Sequence, residues 1–188
     1  MTSPATVEGG GRLRLFCALT LPEHMLDDLV EWQARELRSG RLVPRGNLHV
    51  TLAFLGHRPR QDVERIVGEL HAAASAVSGP ITLSPRAYRE TRSVGMVVFH
   101  DEDGRATALA GDLFERLERL GVYERERRPW LPHVTVLRFR SPPRLRPELP
   151  DLGEVSPSGA AVYHSVLRSG GAQYETLDFL ALRSPLGG

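Results

Sequence analysis

The sequence contains no lysine: all 24 basic residues are arginine, set against 23 acids for a formal net charge of +1. Every cationic side chain other than histidine is therefore a planar, permanently charged guanidinium, a form well matched to phosphate. Cysteine is almost as scarce. The single Cys17 excludes an intramolecular disulfide and a thiolate metal cluster, and its place inside the apolar run 13–19 predicts a buried, inert thiol. No apolar run approaches the ~18–20 residues a membrane span needs, and the first residues lack the basic-then-apolar order of a secretory signal. These absences predict a cytoplasmic protein with no membrane partner. What is present, 188 residues of which 41% are apolar and 25% charged, fits one domain large enough to bury a core.

Charge is unevenly placed. Residues 124–146 hold seven arginines against Glu124 and Glu126, and residues 35–45 hold four against Glu36. Each stretch reads either as a solvated face or as a phosphate-binding one.

Residues 1–11 have the Gly, Ser and Thr content of a disordered tail, and residues 12–188 read as one domain. Alternation and strand-forming residues predict strands over 12–20, 48–56, 81–89, 94–100, 131–139, 160–168 and 174–182. Apolar residues at 3–4 spacing predict helices over 22–38, 60–77 and 105–120. Pro-rich 141–150 reads as a surface loop. The order of elements gives an α+β fold of two similar halves.

The chemistry is carried by an internal echo. Leu48-His49-Val50-Thr51-Leu52 recurs 84 residues later as Pro132-His133-Val134-Thr135-Val136. Side chains alternate across a strand. Each motif therefore presents a histidine and a threonine on one face and apolar residues on the other. If the halves are related by an approximate two-fold, both His-Thr pairs face one cleft. Two imidazoles flanking one phosphorus suit acid–base cleavage of a phosphodiester, with threonine hydroxyls and arginine holding the phosphate oxygens. A zinc site is the rival reading, but no third ligand accompanies either unit at short spacing.

The paired motifs, with RLFCALTLPE (14–23), NLHVTLAFLG (47–56), RPWLPHVTVLRF (128–139) and VYHSVLRSGGAQYETL (162–177), resemble the two-histidine (2H) phosphoesterase superfamily. Within it the chain resembles the RNA 2′,3′-cyclic phosphodiesterase family, also called 2′,5′-RNA ligase. The resemblance implies a bilobal α+β fold, two antiparallel-rich sheets facing a central cleft with helices outside. It implies His49 and His133 as the catalytic pair, Thr51 and Thr135 as phosphate ligands, and no metal or cofactor. The implied reaction opens a 2′,3′-cyclic phosphate to a 2′-phosphomonoester, with 2′–5′ joining as its reverse type. His49 is assigned as the acid and His133 as the base. The partners implied are RNA with 2′,3′-cyclic phosphate ends or small cyclic nucleotides; the sequence leaves the oligomeric state open, with a monomer favoured. A non-catalytic RNA-end binder and an enzyme for another cyclic phosphate are the alternatives.

Other residues follow from parity. Arg138 lies five positions after His133, so strict alternation turns it away from the phosphate unless the strand ends or bulges near Leu137. Trp130 is a candidate for base stacking, and Phe54 has the parity of a core residue. Ser165 and Tyr174 are candidates for the cleft wall. His24, His57, His71, His100 and His164 have no motif partner and read as ordinary histidines.

Overall fold

The structure, a computed structural model, describes residues 11–183. Apart from Gly11, the tail expected over 1–11 lies outside the described residues. The elements run β1 (Arg12–Thr20), α1 (Glu23–Glu36), β2 (Arg41–Leu42), β3 (Val50–Pro59), α2 (Val63–Ala76), β4 (Leu83–Glu90), β5 (Val94–Asp101), α3 (Arg105–Arg119), β6 (His133–Arg138), β7 (Gly159–Arg168) and β8 (Gly171–Ala181). Each longer element matches an expected one to within a few residues. The exception is two-residue β2, too short to leave an alternating signal. Residues 141–150 form no element, as expected for a loop.

The strands form one curled sheet in the order β4-β5-β6-β3-β1-β7-β8, with β2 beside β6. Every pairing is antiparallel. The sheet consists of two four-stranded lobes, β3-β1-β7-β8 and β4-β5-β6-β2. The fold is therefore the expected two-lobed α+β arrangement, with its sheets joined where β3 meets β6 at the single pair Val50–Val134. Both valines are fully buried. Away from this pair the two strands diverge, and the divergence opens a cleft on the face opposite the core.

The helices are held by their apolar stripes. α1 buries Met25, Leu26, Leu29 and Trp32; α3 buries Leu109, Leu113, Phe114 and Leu117. Burial stabilises by roughly 1.5–3 kcal/mol for each such large side chain. The helices cross between lobes. α1 follows β1 but packs on the other lobe, where Trp32 lies beside Tyr88 of β4 and its indole N–H donates to the Glu148 carbonyl at 2.7 Å. α3 joins β5 to β6 yet packs against α2 and β3. Cys17 of β1 is fully buried, and burial pushes its thiol up to about 12. Among the described residues no helix is long and apolar enough to cross a membrane.

Candidate active site

Both motif strands carry the same irregularity. In β3 the pairing with β1 runs Cys17–Ala53 and then Ala18–Thr51, leaving Leu52 as an extra residue. In β6 the pairing with β5 runs Gly95–Leu137 and then Met96–Thr135, leaving Val136 extra. A bulge inserts one residue and reverses the parity beyond it. Leu52 and Ala53 are accordingly both buried, as are Val136 and Leu137. The residue five positions after each histidine thereby returns to the histidine's face. In β6 that residue is Arg138, which lines the cleft. In β3 it is Phe54, which is 49% exposed and also lines the cleft. The expectation that Phe54 belongs to the core is thus corrected, because the bulge overrides simple alternation.

The two imidazoles are held alike. His49 Nδ1 lies 2.9 Å from the Asn47 carbonyl, and His133 Nδ1 lies 2.8 Å from the Leu131 carbonyl. A carbonyl can only accept, so each Nδ1 carries the hydrogen and each neutral ring leaves Nε2 as an acceptor. Thr51 Oγ1 lies 3.0 Å from His49 Nε2 and is the donor of that bond. The antiparallel register about Val50–Val134 sets His49 toward Thr135 and Thr51 toward His133. The site consequently has a local two-fold relation.

The surroundings of His49 are aromatic. Its ring centroid lies 4.9 Å from Phe16 and 5.4 Å from Tyr174, with Tyr163 at 6.3 Å. This desolvation is the main cause that lowers the His49 pKa from 6.5 to about 4. The Asn47 carbonyl opposes the fall, while His133 and Arg138 add to it through like charge.

His49, Thr51, His133, Thr135 and Arg138 all border one cavity of about 520 Å³, within the usual range of small-ligand pockets. Among the described residues, its wall contains no aspartate or glutamate. Arg14 and Arg41 complete its positive charge. The Arg14 guanidinium sits 4.9 Å over the Phe54 ring, and Arg41 is the cross-strand partner of Arg138. Ser165 and Tyr174 also line the wall.

Trp130 is placed differently from its expected position at the substrate. It lies outside the cavity lining and packs on the core, and its indole N–H donates to the Thr51 carbonyl at 3.0 Å. It braces the first motif strand from behind. Of the other histidines, His71 pairs with Asp178 and His164 with Glu175.

Arg14, Phe16 and Asn47 join the site without having been singled out in the sequence, whereas Arg41 belongs to the basic stretch 35–45. Arg14 and Phe16 share the face of β1 opposite Leu13, Leu15 and Cys17, so alternation gave a signal for them. Asn47 acts through its carbonyl, a group every residue has, and left none.

Two lobes contributing one His-x-Thr unit each to a shared, arginine-lined cleft define a two-histidine phosphoesterase fold. Residues 22–169 match the family model described as the 2′-5′ RNA ligase superfamily, and the chain belongs to that superfamily. A Thermus thermophilus protein named RNA 2′,3′-cyclic phosphodiesterase is 32% identical over 186 residues, covering 93% of each chain. An Escherichia coli protein of the same name is 30% identical over 137 residues, covering 68% of this chain and 73% of its own. Among solved structures, the crystal structure of a Thermus thermophilus protein aligns with a TM-score of 0.77 at 31% identity, covering 91% of this chain and 98% of its own. The crystal structure of E. coli LigT complexed with 3′-AMP aligns with a TM-score of 0.76 at 24% identity, covering 93% of this chain and all of its own, a likeness of fold.

Proposed function

We propose that the protein is an RNA 2′,3′-cyclic phosphodiesterase that works by two-histidine acid–base catalysis without a metal. The observation that carries this reading is the matched pair of imidazoles, each fixed at Nδ1 by a carbonyl two residues before it, bordering one carboxylate-free cavity. The names of the relatives from Thermus and Escherichia support the substrate class.

In the proposed reaction a water attacks phosphorus while His133 Nε2 takes its proton. The P–O3′ bond breaks, His49 Nε2–H protonates the departing O3′, and the product is a 2′-phosphomonoester. Thr51, Thr135 and Arg138 hold the non-bridging oxygens as charge builds on them. If an RNA 5′-hydroxyl replaces water, the same step forms a 2′–5′ linkage.

His49 must be charged to act as the acid, and in the free cleft it is neutral above about pH 4. A phosphodiester anion beside Nε2 favours the charged ring and offsets Arg138. Substrate binding therefore draws a proton onto His49. Thr51 is then released from donating to Nε2 and turns its hydroxyl toward the phosphate.

The test is hydrolysis of a cyclic-phosphate-ended oligoribonucleotide by His49→Ala and His133→Ala, with chelator present. Each variant should lose roughly 10²–10⁴-fold in rate, and the parent product should carry its phosphate on O2′. Near-full activity in either variant overturns the reading.

A further inference from the structure

The arginines beside the cleft form a surface that the chemistry at phosphorus does not use. Three separate segments bring them together at one end of the β2-β6-β5 sheet. Arg41 pairs with Arg138 and Val94 with Arg138, and the Phe139 N–H donates to the Ser93 carbonyl at 3.0 Å. Arg92, next to Ser93, stands on the β4–β5 turn. That turn is tied by Thr91 Oγ1, which accepts from the Ser93 and Val94 N–H groups at 3.4 and 3.3 Å. Arg38 stands on the loop before β2. There Gly40, at φ +94°, comes so near that a Cβ would lie 2.7 Å from the Arg138 carbonyl, so this loop is pressed against the end of β6. Arg140 follows directly from β6.

Arg38, Arg92 and Arg140 are exposed, and among the described residues neither they nor Arg41 and Arg138 have a carboxylate within ion-pair distance. Elsewhere in the same basic stretches arginines are neutralised: Arg35 by Glu36, Arg45 by Glu23 and Asp27, and Arg125 by Glu118. The nearby carboxylate of Glu90 accepts from the N–H groups of Arg144 and Leu145 and from the Tyr88 hydroxyl.

We infer that Arg38, Arg92 and Arg140 form a track for the single-stranded RNA leading to the terminal cyclic phosphate, so the enzyme acts on oligonucleotide ends in preference to cyclic mononucleotides. An uncompensated basic rim continuous with the site binds successive phosphates and releases their counterions. A cavity of about 520 Å³ accepts one terminal nucleotide, so the strand that follows it enters unpaired. This inference rests on the phosphodiesterase reading above.

The experiment compares a 2′,3′-cyclic mononucleotide with cyclic-ended single strands up to about eight nucleotides long, for the parent protein and the double variant Arg92→Ser/Arg140→Ser. KM for the parent should fall about tenfold with length. The double variant should lose that gain while keeping the parent kcat and KM on the mononucleotide. Its slope of log KM against log salt on the longer strand should be smaller by about 1.4, about 0.7 for each phosphate that is no longer neutralised. A parent KM independent of length overturns the track, as does a variant that keeps the length gain or a duplex that binds better than the single strand. Absence of hydrolysis of every one of these cyclic-ended substrates by the parent counts against the phosphodiesterase reading alone. Anisotropy titrations with the same RNAs then still decide the track.

Discussion

Phe54 and Arg138 occupy equivalent positions, each five residues after a motif histidine and each turned into the cleft by one extra residue in its strand. The backbone device is shared and the side chains are not. One half offers a flat ring capped by Arg14, the other a guanidinium. The cleft is therefore symmetric in its His-Thr pairs and asymmetric around them.

Arg138→Met removes a charged donor and should lower kcat/KM about 10–100-fold, as for hydrogen bonds to charged groups worth about 1.5–3 kcal/mol. Phe54→Ala should instead raise KM for a cyclic nucleotide about tenfold, within the ~1–3 kcal/mol range of a base stacked on an aromatic ring. It should change KM little for ribose 2′,3′-cyclic phosphate without a base. Steady-state kinetics on both substrates separate the two effects.

Gln33 of α1 is 1% exposed, and its Nε2 donates to the carbonyls of Val43 at 3.0 Å and Val136 at 2.7 Å. Val136 is the residue whose insertion turns Arg138 into the cleft, so the prediction is that Gln33 helps to position Arg138. Gln33→Met should cost about 1–3 kcal/mol in denaturant unfolding, since it leaves buried acceptors with fewer donors. It should also lower kcat/KM. Combined with Arg138→Met, the kinetic loss should be clearly smaller than the sum of the single losses. Full additivity would show that Gln33 acts independently of Arg138.

The depressed His49 pKa makes stability depend on pH with a definite sign. In the native protein the ring stays neutral down to about pH 4, whereas the unfolded chain takes the proton near 6.5. Between those values the unfolded state binds more protons, so stability from this group is complete above pH 6.5 and declines as pH falls toward 4. The difference corresponds to roughly 3 kcal/mol. Unfolding free energies from denaturant titrations at pH 7 and pH 4 should differ less for His49→Gln than for the parent by about this amount.

Leaving-group chemistry assigns the two histidines. An aryl oxide departs without protonation, so an aryl phosphodiester relieves the need for the acid but not for the base. His49→Ala should recover much of its lost rate on the aryl substrate, and His133→Ala should not. The opposite pattern would exchange their roles.

Much of this was legible in the sequence. His49 with Thr51 and His133 with Thr135 follow from alternation alone, and their recurrence shows that the two pairs belong together. The helices are written in the 3–4 spacing of residues such as Leu109, Leu113 and Leu117. The bulges at Leu52 and Val136 were not legible, because an extra apolar residue in an apolar strand looks like an ordinary one until its partner strand is known. That one ambiguity conceals which face Phe54 and Arg138 take. In the sequence Trp130 looks like a stacking surface because its indole partner, the Thr51 carbonyl, is 79 residues distant.

The crossing of helices between lobes bears on how the molecule can be taken apart. A chain divided at Gly79–Pro80 would leave β1 and β3 of one lobe on a fragment with α1, which covers the other; α3 would likewise be separated from the β3 it packs on. Neither fragment contains a finished layer. Co-expressed fragments should restore the enzyme only by reassembling as a pair, which makes this backbone a natural scaffold for a split reporter.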